Sequence, residues 1–314
     1  METSRGGPDF ARWIREIGRG PHAARPLAAD AACELGSAML AGEVPPLELG
    51  AILLAYRVKG ETVGELTGFM AAIDRQLARL APPAATTARP VVLPTYNGAR
   101  RLPNLTPLLA LLLRRYGVPV LLHGMVDDRH DFGRVTTAAI LWELGIDAAA
   151  SLEVAQQRLD RDGIAYVPTP LLSPALASLI ELRHRMGVRS VAHTLAKLID
   201  PFGGAGLRVV AVTHPDYVDR MREFLLATKA TALLMRGTEG EPFAHPRRPS
   251  RIEGFAGGTA TVLVEAEPSA YAPALPDAID ATTTAAWIGA ALSGEVAIPQ
   301  PILNQLACCV QRRT

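Results

Sequence analysis

The sequence LELGAILLAYRVKGETVGELTGF, residues Leu47–Phe69, carries the local signals that decide the first part of the fold. Apolar residues recur at helical spacing over Leu47–Val58, and Gly60 then provides a stop. Thr62 begins another helix, with Glu65 three residues later in the position of a capping box. Two helices joined by a short turn are therefore predicted here.

The segments on either side of these helices differ in pattern. Leu27–Leu40 is rich in Ala, Leu and Met, so helices are predicted over about the first eighty residues. Ala81–Pro90, with three prolines, is typical of a linker. Beyond it, short apolar segments alternate with helical patterns, as in parallel β-α-β units. The predicted strands are Val91–Leu93, Val118–Leu122, Ile164–Val167, Leu207–Val212 and Thr231–Met235. Predicted helices begin at Thr106 and span Arg134–Glu143, Ser151–Leu159, Pro174–Met186, Val191–Leu198, Pro215–Thr228 and Thr284–Leu292.

Composition is that of a folded globular protein. The 314 residues are 49% hydrophobic and 20% charged, which argues against disorder. The net charge of +1 does not by itself indicate a polyanion partner. Nearly all basic residues are arginine, since the lysines are only Lys59, Lys197 and Lys229. Two explanations of this arginine bias are open. One is codon bias in a GC-rich genome, and the other is that the planar guanidinium suits phosphate better than a lysine ammonium does.

The sequence favours a cytoplasmic location with no membrane partner. The nearest candidate for a membrane span, Leu105–Leu113, is too short and is followed at once by Arg114 and Arg115. No apolar signal core stands at the N-terminus. The cysteines, Cys33, Cys308 and Cys309, match neither a zinc spacing nor a disulfide framework. We expect a reduced compartment.

Two segments resemble a known enzyme family. Leu47–Phe69 resembles the N-terminal helices of anthranilate phosphoribosyltransferase (TrpD). The sequence LRHRMGVRSVAHTLAKLIDP, Leu182–Pro201, resembles that family's helix-and-turn segment before a strand. The resemblance extends from about residue 25 to the C-terminal helices.

The resemblance implies an α/β fold like that of this enzyme and of nucleoside phosphorylases. A small helical domain would precede a larger α/β domain with a central, mostly parallel sheet. A homodimer would form through the helical domains. The implied domains are 1–82 with 174–197 for the helical dimerisation domain and 83–173 with 198–314 for the α/β domain.

The resemblance also implies a depleted diphosphate loop. In the enzyme family, a glycine-rich loop after the first strand binds the diphosphate of phosphoribosyl diphosphate, because glycines let backbone N–H groups approach phosphate oxygens. Here the stretch LPTYNGARRLPNLTP, Leu93–Pro107, keeps one glycine, Gly98, next to Asn97. Asn104 and Thr106 resemble the family's Asn-x-Ser-Thr at the helix start.

Two further substrate motifs differ from the family pattern. The family's Lys-His-Gly-Asn is replaced by LHGM, Leu122–Met125, which keeps His123 and Gly124 between apolar residues. The family's adjacent Asp-Glu pair holds magnesium on the diphosphate. Its counterparts here, Glu239 and Glu241, are separated by a glycine.

Together, these replacements are similar to the YbiB-type paralogues of the enzyme. That similarity implies dimers that keep the fold, lack the phosphoribosyltransferase reaction and bind nucleic acid without sequence preference. We expect no catalytic residue, no cofactor and no metal site. The implied vestigial substrate site consists of Asn97, Gly98, Asn104, Thr106, His123, Gly124, Glu239 and Glu241.

Arginines are the candidates for contacts with nucleic-acid phosphates. Arg100 and Arg101 lie between a turn and a helix N-terminus, where free N–H groups attract anions. Arg185 and Arg189, four residues apart, are predicted to share a helical face. The full candidate set is Arg100, Arg101, Arg183, Arg185, Arg189, Arg247, Arg248 and Arg251. A solvated helix face and a solvated loop are the competing interpretations.

The other candidate residues also have structural interpretations. Asn97-Gly98 is a tight-turn dipeptide, and a lone buried histidine such as His123 is more often structural than a base. Glu239 and Glu241 are compatible with a structural loop or a metal site. For Asp127, Asp128, His130 and Asp131 a solvated turn is preferred to a metal site, because Arg129 and Arg134 are interleaved with them.

Two functions remain as hypotheses. The first is a non-catalytic, nucleic-acid-binding homodimer. The second is a phosphoribosyltransferase or related glycosyltransferase with an altered substrate, supported by Asn104, Thr106, His123 and Arg183, which matches an arginine that the enzyme uses for anthranilate. A small phosphate-containing ligand, bound in the cleft that corresponds to the enzyme family's substrate site, is compatible with either function.

Overall fold

The computed structural model describes residues 9–20, 22–126, 133–267 and 272–312. Within these ranges the chain forms fourteen helices and eight strands. The helices are α1 (Phe10–Ile17), α2 (Ala29–Ala41), α3 (Pro46–Lys59), α4 (Val63–Asp74), α5 (Thr106–Arg115), α6 (Thr137–Glu143), α7 (Leu152–Asp162), α8 (Thr169–Leu172), α9 (Pro174–Glu181), α10 (Arg183–Met186), α11 (Val191–Ala196), α12 (Pro215–Ala227), α13 (Ala281–Ser293) and α14 (Gln300–Gln311). The strands are β1 (Val91–Thr95), β2 (Val120–Gly124), β3 (Ile164–Pro168), β4 (Leu207–Val212), β5 (Ala232–Thr238), β6 (Glu241–Ala244), β7 (Ile252–Ala256) and β8 (Thr259–Val264).

The chain divides into two compact units. Unit 1 is helical and combines the N-terminal part of the chain, up to Gln76, with Ala175–Leu195. Unit 2 contains Leu77–Pro174 and the chain from Ala196 onward, including all the described strands. No helix in the described ranges has both the length and the apolar character needed to cross a bilayer.

Unit 1 contains the predicted capping box. The Thr62 N–H donates to Oε2 of Glu65 at 2.8 Å, and the Glu65 N–H donates back to the Thr62 hydroxyl. The same buried carboxylate accepts from Lys59 Nζ at 2.6 Å. The start of α4 is therefore fixed by the side chains that the sequence indicated. Helix α4 also packs closely on α2, because a Cβ at Gly68 would lie 2.2 Å from the Ala29 carbonyl oxygen.

Unit 2 is built on one sheet with the order β3-β2-β1-β4-β5-β7-β8. The strands from β3 to β5 are parallel, whereas β7 and β8 are antiparallel and β6 pairs with the end of β5. The predicted α/β fold, a helical domain before a mostly parallel central sheet, is confirmed. The antiparallel strands β6–β8 and helix α14 were not predicted.

Both faces of the parallel strands are buried, as their continuous apolar runs indicate. On one face, side chains such as Val91 and Leu93 pack in a core with residues of α5, α6, α13 and α14. Helix α12 contacts β4, β5 and β7. The parallel strands end on one edge of the sheet, at Thr95, Gly124, Pro168, Val212 and Thr238. This carboxyl edge is where open α/β sheets bind ligands.

Candidate functional site

The carboxyl edge brings together a loop and a turn that are distant in the sequence. We call residues 97–102, which follow β1, the β1 loop, and Thr238–Glu241, which connects β5 to β6, the acidic turn. Glu239 and Gly240 both have positive φ, +54° and +90°, the combination of a type I′ hairpin turn. A Cβ at Gly240 would lie 1.8 Å from Asn97 Nδ2, so any other residue there would displace the buried Asn97 side chain as well as adopt a positive φ.

Glu241 is fully buried and binds the beginning of the β1 loop. Its Oε1 accepts the N–H groups of Asn97 at 2.7 Å and Gly98 at 2.9 Å. Its Oε2 accepts the hydroxyl of Thr137 at 3.2 Å. Burial raises the pKa of Glu241, while the N–H donors and the charge of Lys197 act in the opposite direction. The carboxylate is thus held by donors in a place where water does not solvate it.

Glu239 binds the second half of the β1 loop. Its Oε1 accepts the N–H groups of Arg101 at 2.8 Å and Leu102 at 3.1 Å. The N–H of Arg100 is shared by both carboxylate oxygens, at 3.2 and 3.3 Å. The guanidinium of Arg134 lies 3.7 Å from Oε2. Three consecutive N–H groups that converge on one carboxylate form an anion-binding nest.

The two glutamates therefore take up five backbone N–H groups of the β1 loop. Backbone N–H groups that point toward one place are donors that can bind anionic oxygens, and here the oxygens are those of the two carboxylates. The same geometry does not fit a magnesium site. An oxygen that accepts several N–H bonds lies where positive partial charges converge, which is the opposite of what a cation requires.

Asn104 connects the start of α5 to this network. Its Oδ1 accepts the N–H of Thr106 at 3.2 Å, and its Nδ2 donates to the Thr137 hydroxyl oxygen at 3.0 Å. Both Asn104 and Thr106 are completely buried. Asn104 thus supports the Thr137 hydroxyl that donates to Glu241.

His123 lies on β2 in a buried chain of hydroxyl groups. Thr169 donates to the Tyr96 hydroxyl oxygen at 3.1 Å, and the Tyr96 hydroxyl shares a hydrogen bond of 2.8 Å with Nδ1 of His123. Burial lowers the pKa of His123 to about 3. A neutral imidazole with so low a pKa is a weak general base at neutral pH. Next to it, a Cβ at Gly124 would lie 1.9 Å from the Thr95 carbonyl oxygen, so only glycine fits.

Three buried polar atoms near the ends of β1 and β2 have no hydrogen-bond partner among the described residues. They are Asn97 Nδ2, Thr106 Oγ1 and His123 Nε2. Buried polar atoms of this kind ordinarily have a partner. This region therefore contains hydrogen-bonding atoms that the described residues do not satisfy.

Exposed arginines surround the same edge of the sheet. Arg100 and Arg101 are exposed in the β1 loop, and Arg247, Arg248 and Arg251 are exposed in the connection from β6 to β7. That connection begins and ends beside the carboxyl end of β5, because β6 and β7 both pair with β5 there. Topology thus places these five arginines on the carboxyl edge.

Besides Glu239, which lies beside Arg134, a further acidic residue reduces the positive charge near this edge. Glu253 accepts from Arg222 at 3.0 Å and lies 3.3 Å from Arg251, so Arg251 is partly neutralised. Arg236, exposed in β5 next to the paired residues Met235 and Ile252, adds a positive charge that the sequence analysis did not select.

Comparison with known proteins is consistent with this fold. The family model described as "Glycosyl transferase family, helical bundle domain" matches residues 11–76. The protein YbiB of Escherichia coli K12, described as uncharacterized, is 43% identical over 303 residues, which cover 96% of this chain and 93% of YbiB. The chain belongs to the TrpD-like glycosyl transferase family.

The chain is also similar, in sequence and in structure, to anthranilate phosphoribosyltransferase of Thermus thermophilus. In sequence, that enzyme is 30% identical over 208 residues, covering 66% of this chain and 61% of the enzyme. In structure, a crystal structure of TrpD from the same species aligns with a TM-score of 0.75 and 25% identity, covering 97% of this chain and 87% of the enzyme chain.

In this TrpD-like protein the remaining candidate arginines belong to unit 1. Arg183 and Arg185 lie in α10, which ends at Gly187 with a φ of +71°. Because this left-handed residue terminates the helix, Arg189 lies outside it. The expectation that Arg185 and Arg189 share a helical face is therefore wrong.

The sequence analysis missed three residues that hold the TrpD-like site together. Arg134 donates to the Gly98 carbonyl at 2.9 Å and its side chain is only 15% exposed. The predicted helix start at Arg134 was wrong, because α6 begins at Thr137 after the cap residue Thr136. Thr137 bridges Asn104 and Glu241, and Lys197 Nζ donates to the Gly240 carbonyl at 2.8 Å. No local pattern indicates these contacts. The neighbouring candidates Asp127, Asp128, Arg129, His130 and Asp131 lie outside the described residues.

Proposed function

We propose that this TrpD-like protein binds nucleic acid without sequence preference and does not catalyse phosphoribosyl transfer. The observation that carries the proposal is the occupation of the β1 loop by Glu239 and Glu241. Transfer from a diphosphate requires donors that stabilise the departing charge. Here those N–H groups already bind carboxylates of the same chain.

The exposed arginines at the carboxyl edge support the nucleic-acid part of the proposal. Arg100 and Arg101 extend from one loop, and Arg247 and Arg248 extend from another, and all four side chains are exposed. Such side chains suit a phosphate backbone better than a small substrate. With aromatic residues at 5% of the sequence, affinity would come from phosphate contacts rather than base stacking.

The test is a titration of mixed-sequence oligonucleotides at several salt concentrations. We expect binding at low salt that weakens as salt increases, since each neutralised phosphate releases counterions. The double variant R247A/R248A should weaken binding to all sequences about equally. It should also reduce the salt slope by roughly one unit for each phosphate that the variant no longer neutralises.

Arg114 and Arg115 provide a matched control. They are also adjacent and exposed, but they end α5, near the amino ends of the parallel strands. The double variant R114A/R115A removes the same charge and should keep the salt slope. No binding at low salt, or equal effects of the two double variants, would contradict the proposed interface.

The absence of transfer is tested with anthranilate and phosphoribosyl diphosphate in the presence of magnesium. We expect no turnover in a preparation free of the host enzyme. Robust turnover would overturn this half of the proposal and favour a transferase with an altered substrate. The unpartnered polar atoms of Asn97, Thr106 and His123 are the observation on which that second function would rest.

A further inference from the structure

Helix α1 in unit 1 has an arginine face to which the proposed function assigns no role. Arg12 and Arg15 lie one turn apart on α1, and both are exposed. Arg19 follows the end of the helix, and its Nε donates to the Arg15 carbonyl at 2.8 Å. Its side chain therefore folds back onto the last turn of α1. Spacings of three and four residues place these three arginines along one side of the helix.

A fourth arginine joins this row through the chain that follows α1. The Arg25 N–H donates to the Glu16 carbonyl at 2.9 Å, and the exposed Arg25 guanidinium lies 3.9 Å from the Glu16 carboxylate. The chain after α1 thus returns to the helix and brings Arg25 beside it. We call Arg12, Arg15, Arg19 and Arg25 the α1 arginines.

The ion pairs of this surface leave positive charge in excess. Glu16 is shared by Arg19, at 3.5 Å, and Arg25, and Asp9 lies 3.8 Å from Arg15. Four arginines and two carboxylates leave two positive charges uncompensated. Exposed ion pairs of this kind are weak, and the Arg15 side chain remains 72% exposed. The arginines can therefore exchange their internal partners for an external anion.

The neighbouring sequence keeps this positive charge separate from negative charge. Between Arg25 and Arg57 the chain has no lysine or arginine. The acidic residues of that stretch are Asp30, Glu34, Glu43 and Glu48. Positive charge in the first 56 residues is thus confined to the first 25, and such a separation orients an approaching polyanion toward α1.

We infer that the α1 arginines are a second contact surface for the phosphate backbone of nucleic acid. The inference rests on the proposed function for the class of partner, and it goes beyond that function because no α1 arginine belongs to the carboxyl edge. Seven residues of helix separate Arg12 from Arg19, which corresponds to about 10 Å. One strand of duplex DNA has a phosphate about every 3.4 Å along the helix axis, so the row can face about three phosphates.

The other face of α1 argues against a membrane as the partner. An amphipathic helix that binds a bilayer inserts its apolar residues into it. In α1 those residues are buried within the protein, and the helix contacts α3. They are Phe10, Trp13 and Ile17. Only the arginine face is available to a partner, and a charged face without an apolar one suits a polyanion in water.

The experiment compares the wild type with R12A/R15A in titrations of mixed-sequence duplex DNA at several salt concentrations. Each lost phosphate contact should reduce the salt slope by roughly 0.9, so the double variant should lose close to twice that amount. Binding to all sequences should weaken about equally, because phosphate contacts carry no sequence information. R114A/R115A, which removes the same charge from unit 2, should keep the slope. An unchanged slope in R12A/R15A would overturn the inference.

R12K/R15K distinguishes loss of charge from damage to the helix. The Arg12 guanidinium lies 5.3 Å from the centre of the Trp13 ring, so its removal also alters packing. Lysine keeps the charge that a phosphate requires, and we expect the lysine variant to keep a salt slope close to that of the wild type. A lysine variant with an unchanged circular dichroism spectrum and the slope of R12A/R15A would contradict a role for charge.

Glu16→Gln tests the same surface in the opposite direction. The substitution removes the carboxylate shared by Arg19 and Arg25 and leaves all four arginines in place. We expect tighter binding of duplex DNA and a steeper salt slope than in the wild type. Unchanged or weaker binding by this variant would contradict the inference.

Two further outcomes identify which part is wrong. If R247A/R248A lowers the salt slope and R12A/R15A does not, the carboxyl edge remains the interface and the inference about α1 fails. If only R12A/R15A lowers it, the α1 surface is supported and the interface proposed at the carboxyl edge fails. Sedimentation with phosphatidylserine vesicles should leave the protein in solution. Vesicle binding that R12A/R15A abolishes would assign the surface to a membrane instead and overturn the inference.

Discussion

At the residue scale, His123 makes stability depend on pH. Below the ordinary histidine pKa of 6.5 the unfolded chain takes up a proton, but the folded chain does not until about pH 3. The unfolded state therefore binds more protons over this range, and the free energy of unfolding falls as the pH is lowered through it. The loss is up to about 1.4 kcal/mol per pH unit.

The raised pKa of Glu241 changes the free energy of unfolding with pH in the opposite direction to His123. The prediction therefore concerns the difference between the wild type and a His123 variant, in which the Glu241 effect is the same. Because burial raises the pKa of Glu241, the stabilisation that this residue gives to the folded state is fully present below the ordinary glutamate pKa. It decreases as the pH rises through the raised value. The variant His123→Asn, whose amide oxygen can accept from Tyr96, removes only the histidine term. Urea unfolding between pH 4 and 7 should give a flatter profile for the variant than for the wild type. Parallel profiles would contradict the burial of an uncharged His123.

Truncation of Glu241 should be among the most destabilising changes in unit 2. Glu241→Ala leaves the N–H groups of Asn97 and Gly98 and the Thr137 hydroxyl buried without their acceptor. We expect a loss of roughly 3 kcal/mol in the free energy of unfolding. Glu143→Ala, at an exposed position of α6, should change it by less than about 0.5 kcal/mol. Similar values for the two variants would show that Glu241 does not anchor the β1 loop.

At the scale of elements, the acidic turn depends on a glycine with no room beside it. Gly240 and Gly294 have nearly the same φ, +90° and +87°, but only Gly240 has a close neighbour, Asn97. Gly240→Ala should therefore destabilise the protein by roughly 2 kcal/mol more than Gly294→Ala. Chemical denaturation of both variants measures the difference. Equal losses of stability in the two variants would mean that separating the acidic turn from the β1 loop costs no free energy.

The predictable elements are those with complete local signals. Helices α3 and α4 follow from Gly60 and the Thr62–Glu65 capping box, and the predicted strand Leu207–Val212 has the bounds found for β4. The antiparallel strands lack such signals. The turn before β6 has glutamate where Asn or Asp is usual, and β8 lies at the edge of the sheet with much of its surface exposed.

The sequence grouped several residues that the structure brings into contact, but it did not predict the contacts themselves. The resemblance to the enzyme family selected Asn97, Gly98, Glu239 and Glu241, which the structure brings together. The bond from the Asn97 N–H to Glu241 joins residues 144 positions apart, and no local pattern encodes such a pair. Glu239 and Glu241, which the sequence left between a structural loop and a metal site, accept backbone N–H groups of the β1 loop.

At the scale of the whole molecule, the exposed face of α3 predicts self-association. Ile52, Leu53 and Tyr56 are buried, whereas an apolar stripe on the same helix is exposed. Its members are Leu47 at 82%, Leu54 at 50% and Val58 at 55% exposure. Spacings of seven and four residues place the three side chains on one side of the helix. An apolar stripe that none of the described residues covers is typical of an interface.

We expect a two-fold homodimer formed through this stripe, since symmetric dimers are the commonest way to bury such a surface. Light scattering at micromolar concentration should give twice the mass of the chain, and Leu54→Glu should give a monomer with unchanged helical content. Trp142→Glu is the control, because Trp142 is 68% exposed on α6 in unit 2 and should leave the dimer intact. A wild-type monomer would contradict the prediction. If the Trp142→Glu variant dissociated and the Leu54→Glu variant did not, the interface would lie in unit 2 and not on α3.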